Sequence, residues 1–168
     1  MNQMRRIKVE KVTLNIGVGV GGKDLSNAEM ILREISDQNP VRTYAKRTNK
    51  DFGIRQGAPI GCKVTIRGEK AVSTLEKLFE AKGSELPESS FNEGGNFSFG
   101  IKEHIEIPKI EYDPDVGIYG MDVCVSLARP GYRIKNRRIR PRSIPPSIRI
   151  DKEEAINFVK QKFGVQVK

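Results

Sequence analysis

The stretch Gly53–Glu69, GIRQGAPIGCKVTIRGE, decides the fold. Its first half places Gly57, Pro59 and Gly61 within five residues, just behind Arg55 and Gln56. That composition resists helix and predicts an extended, mobile basic loop over residues 53–61. The second half alternates strictly, with Cys62, Val64 and Ile66 on one side and Lys63, Thr65 and Arg67 on the other. This is the pattern of a half-buried strand with a basic, hydroxyl-bearing outer face. A flexible cationic loop feeding a rigid cationic strand suits a protein that reaches one RNA while sitting on another. A solvated loop beside an ordinary strand is the plainer alternative.

Outward from this stretch the apolar spacing changes period repeatedly. Ile7 and Val9 alternate, then Val12, Leu14, Ile16 and Val18 continue on the opposite parity, so a bulge is expected near Glu10–Lys11. Ser26 to Glu29 reads as a capping box opening a helix, with Ala28, Ile31, Leu32 and Ile35 as its buried stripe. Asp37–Pro40 ends that helix and Val41–Ala45 is a short strand. After Gly68 a second helix turns Ala71, Val72, Leu75, Leu78 and Phe79 inward and closes at Gly83. Ser84–Asn96 reads as a long exposed loop. Phe97, Phe99 and Ile101 alternate in a strand, and Ile105, Ile107, Ile110 and Tyr112 suggest another extended piece interrupted by Pro108. Tyr119 to Leu127 forms the clearest strand. Residues 130–148 carry four prolines without periodicity, an extended arm. Asp151 to Glu154 repeats the capping pattern before a last helix with Ile156, Val159 and Phe163 inward. The expected class is α+β: an antiparallel sheet with helices packed on one face and an extended basic arm before the C-terminal helix, in one domain over residues 1–168.

Thirty Lys and Arg against twenty-one Asp and Glu leave a charge of +9, which predicts a polyanionic partner. The cations cluster. Arg42 to Arg67 holds seven against Asp51 alone, and Arg129 to Arg149 holds eight with no acid. Ser84 to Asp115 holds eight carboxylates against Lys102 and Lys109. Two RNA-facing surfaces and an acidic one facing solvent follow. No apolar run approaches the ~20 residues of a membrane helix, and no signal-type apolar region follows Met1–Arg6, so a cytoplasmic location is expected. Cys62 and Cys124 read as free buried cysteines, and with His104 they cannot furnish a zinc site.

Gly17–Asp24, GVGVGGKD, imitates both a dinucleotide fingerprint and a phosphate-binding loop, so a phosphate- or nucleotide-binding enzyme using Gly17 to Lys23 is the alternative function. The details oppose it. Asp24 stands where a phosphate loop needs Ser or Thr, and the second strand runs into Lys46 and Arg47 rather than an acid. Glycines that merely turn the chain are the simpler reading. His104, flanked by Glu103 and Glu106, reads as solvated or structurally bonded, and the carboxylates of the 84–96 loop show no sign of burial. Neither a catalytic constellation nor a metal or cofactor site is expected.

RQGAPIGCKVTIRGE closely resembles the signature of the universal large-subunit ribosomal protein family that carries 5S rRNA. VEKVTLNIGVG (Val9–Gly19), ISDQNPVRTYAKR (Ile35–Arg47) and GIYGMDVCVSLARPGYR (Gly117–Arg133) resemble the same family, collinearly. The short lead into the first strand, and the basic segment after Pro130 with its following helix, resemble the archaeal–eukaryotic branch. The resemblance implies the same sandwich, its uncovered sheet face free for RNA. It implies 5S rRNA contacts at Asn15, Gln38 (or its neighbour Asn39) and Thr65, with Arg42, Lys46 and Arg47 neutralising phosphates nearby. It implies a loop toward the peptidyl-site tRNA carrying Arg55, Gln56, Gly57 and Pro59 at or near its tip. The arm, through Arg133, Lys135, Arg137, Arg138, Arg140 and Arg142, is expected in large-subunit rRNA, disordered until RNA offsets its self-repulsion. The other implied partners are central-protuberance ribosomal proteins, with a small-subunit head protein a candidate for the acidic segment.

Overall fold

The computed structural model describes residues 2–19, 21–108 and 110–168; Met1 of the basic start, Val20 of the glycine-rich turn and Lys109 of the acidic segment lie outside them. In chain order the elements are β1 (Lys8–Gly17), α1 (Lys23–Ser36), β2 (Val41–Tyr44), β3 (Pro59–Ile66), α2 (Glu69–Ala81), β4 (Glu85–Leu86), β5 (Phe97–Ile101), β6 (Met121–Ala128), α3 (Lys152–Phe163) and β7 (Gln166–Val167). Five strands form an antiparallel sheet ordered β2-β3-β1-β6-β5. The change of phase in β1 is a bulge, since its register on β6 shifts between Val9 and Lys11. Beyond that bulge Val12, Leu14 and Ile16 are buried together with Cys62, Val64, Ile66, Val123 and Val125. Against this face lie Leu25, Ala28 and Leu32 of α1, and Leu75, Leu78 and Phe79 of α2. Phe79 of α2 stacks on Phe97 and Phe99 of β5 and meets Phe163 of α3, which joins α3 to the side of the sheet that α2 covers. Each fully buried Leu or Ile contributes about 1.5–3 kcal/mol. The predicted class, an α+β fold with a one-sided antiparallel sheet, is the observed one.

Gly61 shows why the stretch is built as it is. A Cβ there would lie 2.7 Å from the Ile16 carbonyl oxygen and 3.0 Å from Thr43 Oγ1, so only glycine allows β1, β3 and β2 to close at this level.

Several local expectations are corrected. α1 opens at Lys23 with Gly22 as its cap, at φ 107°, and the Ser26 hydroxyl donates back to the Gly22 carbonyl at 3.3 Å instead of capping. Pairing of Val18 and Gly19 amides with the Ile60 carbonyl carries the turn directly into the helix. The 84–96 segment is not a long exposed loop. β4 pairs in parallel with β7, and Leu86 and Phe91 are buried. The C-terminal strand supplies that partner, and local composition cannot announce it. Among the described residues, 105–108 and 110–112 form no strand; a 3-10 turn spans His104–Glu106, followed by buried Ile107 and then Pro108. The arm is not extended either. Arg129 pairs with Glu154 at its base, Tyr132 Oη donates to the Ile148 carbonyl at 2.8 Å, and the Arg142 amide donates to the Ile134 carbonyl at 3.2 Å. These bonds close residues 130–149 into a loop. The capping box of α3 forms as read, with Glu154 serving both the Asp151 amide and Arg129. Cys62 is buried, and burial pushes its thiol up to about 11, whereas Cys124 is exposed and both are free.

Candidate nucleic-acid interface

Alternation that buries one side of each strand leaves the other side bare, because every helix is on the first. Two cross-strand rows occupy the centre of that open face. In one, Lys63 stands opposite Asn15, Asn15 opposite Asp122, and Asp122 opposite Gly100. In the next, Thr65 stands opposite Thr13, Thr13 opposite Cys124, and Cys124 opposite Ser98. Directly paired residues lie about 5 Å apart and diagonal ones about 7–8 Å, so Asn15 and Thr65 can touch one ligand together. Lys63, Thr65, Asp122, Cys124 and Ser98 are exposed, while Asn15 and Thr13 are half-buried. The face offers an amide that both donates and accepts, hydroxyls that do either, one ammonium and one carboxylate. Asp122 has no ion-pair partner among the described residues. A carboxylate repels phosphate and accepts from ribose hydroxyls or base N–H groups, so it favours particular contacts over general ones. Sequence reading overlooked Asp122. The polar parity of β6, Asp122–Cys124–Ser126, was the available signal, but its neighbour Asn15 comes only from topology.

The other proposed residues are divided by the fold. Arg42 stands opposite Cys62, whose side chain is buried on the helix side, and its guanidinium binds the two Glu29 oxygens at 2.5 and 3.0 Å. That pair holds the Glu29 carboxyl below its ordinary range and raises Arg42. Arg42 therefore lies off the open face. Gln38 sits half-buried in the turn between α1 and β2, with its backbone amide on Ser36 Oγ at 3.2 Å. This puts it at the sheet edge, three residues before Val41, the β2 neighbour of Lys63.

Lys46 and Arg47 belong to neither group. They lie on the outgoing limb of the β2–β3 hairpin and are exposed, as is Arg55 on the return limb. This excursion has internal order. Ala45 and Ala58 are joined by a 2.9 Å backbone bond, the Gly57 amide reaches the Ala45 carbonyl at 2.9 Å, and Asn49 and Ile54 exchange bonds of 2.8 and 2.9 Å. The Gln56 amide also donates to Thr48 Oγ1 at 3.0 Å. Pro59 is the first residue of β3, opposite Tyr44, rather than part of a tip. The turn is at Lys50–Gly53, where Phe52 is 75% exposed. Arg55, Gln56 and Gly57 stand behind it.

Arg133, Lys135, Arg137, Arg138, Arg140 and Arg142 are exposed on the closed 130–149 loop. Among the described residues none has an acidic partner, and Arg137 Nε bonds the Arg140 carbonyl at 2.9 Å. His104 is buried, with Nδ1 accepting from the Tyr119 amide at 3.3 Å, and burial lowers its pKa. It is structurally bonded. Among the described residues no group of His, Cys, Asp and Glu could hold a metal, and no helix is long and apolar enough to cross a membrane.

A one-sided sheet whose bare face is polar, flanked by two loops of uncompensated cations, defines a nucleic-acid-binding protein. The family model described as Ribosomal protein L5 matches residues 2–55, and the model for the C-terminus of the same ribosomal family matches residues 59–167. Similar proteins include those named large ribosomal subunit protein uL5 from Methanosphaera stadtmanae, 48% identical over 99% of both chains, and from Sulfurisphaera tokodaii, 51% identical over 99% of this chain and 95% of that one. The counterpart from Methanobrevibacter smithii is 46% identical over 98% of this chain and 97% of its own. The chain belongs to the L5 family of ribosomal proteins, in its archaeal type. It is a structural constituent of the cytoplasmic ribosome with ribosomal RNA and ribosomal proteins as partners, and not an enzyme. The glycine-rich turn accordingly has a structural role: it carries β1 into α1, and a Cβ at Gly21 would press on Pro59 Cγ at 3.3 Å.

Proposed function

We propose that this chain holds 5S rRNA on the open face of its sheet, helps anchor it in the central protuberance of the large subunit, and reaches the peptidyl-site tRNA with the β2–β3 hairpin. The observation carrying this reading is the face itself, where Asn15, Thr65, Lys63 and Asp122 converge with no helix over them. Gln38 extends the contact along the edge. Such groups bond ribose hydroxyls, phosphates and base edges directionally, which suits one folded RNA rather than any polyanion. Lys46, Arg47, Arg55 and Gln56 then serve the hairpin, and the six cations of the 130–149 loop neutralise large-subunit rRNA. We read the whole chain as one domain. The two family-model matches meet between residues 55 and 59, yet β1 pairs with both β3 and β6 across that boundary.

The test is 5S rRNA binding over a salt series, beside an unrelated RNA of equal size. With Lys63 the one cation in the two face rows, at roughly 0.9 counterion per contact, log K for 5S rRNA falls by about 1 per tenfold rise in salt, and 5S rRNA is preferred to the unrelated RNA. Equal affinity for the unrelated RNA, or a flat salt dependence, contradicts the reading.

A further inference from the structure

A second concave surface differs from these strand rows in character and composition. Residues 2–8 run alongside α3 and leave a groove of about 750 Å³, walled by Arg5, Arg6, Ile7, Phe158, Gln161 and Lys162. A smaller hollow of about 420 Å³ shares Arg6, Ile7, Phe158 and Lys162 and adds Lys8 and Pro130. Together they reach the neck of the 130–149 loop.

Its chemistry is one-sided. Arg5, Arg6, Lys8 and Lys162 have no ion-pair partner among the described residues. The one carboxylate in the wall, Glu154, is already engaged by Arg129 and by the Asp151 amide. Phe158 is half-buried and braced edge-on by Phe163, with ring centres 6.3 Å apart. Lys162 Nζ sits over both rings, 5.7 Å from the Phe158 centre and 5.6 Å from that of Phe163. A braced aromatic ring beside a cluster of free cations is the arrangement that takes an unpaired nucleotide, its base on the ring and its phosphates on the cations.

We propose that this groove binds an unpaired, splayed-out nucleotide of ribosomal RNA, stacked on Phe158 and held by Arg5, Arg6 and Lys162. The surface is separate from the one assigned to 5S rRNA, and it continues the positive strip of the 130–149 loop onto α3. An acidic peptide is the other conceivable occupant; the aromatic–cation pairing favours nucleic acid.

The experiment uses the full chain saturated with 5S rRNA and a single-stranded RNA hexamer carrying 2-aminopurine, whose fluorescence is quenched on stacking. We expect the hexamer to bind without displacing 5S rRNA and its fluorescence to fall. Phe158→Leu weakens hexamer binding about fivefold or more, the smaller end of one lost base–aromatic stack, and abolishes the quenching. Arg5→Gln with Arg6→Gln, both on the surface and outside the core, lowers the salt slope of log K by about 1.4, at roughly 0.7 per cation for single strands. Both variants keep wild-type 5S affinity, so failure here is distinguishable from failure of the 5S reading. Competition between hexamer and 5S rRNA, unchanged quenching in Phe158→Leu, an unaltered salt slope in the double variant, or preference for a Glu/Leu peptide over the hexamer overturns the proposal.

Discussion

The open sheet face and the β2–β3 hairpin both present polar groups at the surface, but they hold them differently. Asn15 lies on the central strand, fixed on both sides by the ladders to β3 and β6. Its cross-strand neighbours Lys63 and Asp122 carry opposite charges, and their backbone cannot shift without disturbing a buried core. The hairpin beyond Ala45 and Ala58 is tied only to itself, by a few backbone bonds, and its Lys46, Arg47, Lys50 and Arg55 are exposed. Directional hydrogen bonds need fixed geometry, whereas charge attraction tolerates motion. The difference teaches that a permanent RNA contact suits the first region and a contact remade in each cycle suits the second.

The comparison breaks most severely if the sheet is disturbed. Gly61→Val puts a side chain against the Ile16 carbonyl, and we expect a stability loss of about 3 kcal/mol by denaturant unfolding, with 5S binding lost in proportion. The next effect belongs to the hairpin. Phe52→Ala removes the exposed ring at the turn and is expected to cost about 1–3 kcal/mol in tRNA retention, read as a faster tRNA dissociation rate from ribosomes, with stability unchanged. Lys63→Gln sharpens the contrast within the face. It should cost about 1 kcal/mol of 5S affinity and lower the salt slope by about 0.9, one counterion's worth. Smallest is Arg42→Ala, expected to change 5S affinity by less than about 0.5 kcal/mol because Arg42 is engaged by Glu29 on the other side of the sheet. A larger loss there would return Arg42 to the interface.

How far the sequence can be read follows the range of the interactions involved. The bulge in β1, the stripes of α1 and α2 and the capping box of α3 are recorded by neighbouring residues, and each forms as read apart from the start of α1. Ser26 to Glu29 has the spelling of a capping box, but β1–β3 pairing delivers the chain to Gly22, and the cap falls there instead of at Ser26. Segments 84–96 and 130–149 look open in sequence because the contacts that close them join residues far apart in the chain: β4 with β7 for the first, and Arg129 with Glu154 and Tyr132 with Ile148 for the second. The site divides likewise. Asn15 and Thr65 are readable as outward positions of alternating strands. The turning of Arg42 to the helix side is set by its pairing with Cys62, and the addition of Asp122 by its pairing with Asn15, both matters of strand order.

The division of labour between face and hairpin is tested most directly by two double variants measured side by side. Asn15→Ala with Thr65→Val removes two directional groups from the face, and Arg55→Ala with Gln56→Ala removes polar groups from the hairpin. For each, 5S rRNA affinity is measured on the free protein and the tRNA dissociation rate on ribosomes carrying it. We predict that the first loses about tenfold or more in 5S affinity, at about 1 kcal/mol per hydrogen bond, with tRNA dissociation unchanged. The second should release tRNA several-fold faster and bind 5S rRNA normally. Loss of 5S affinity in the hairpin variant, with the face variant binding like wild type, would contradict the account.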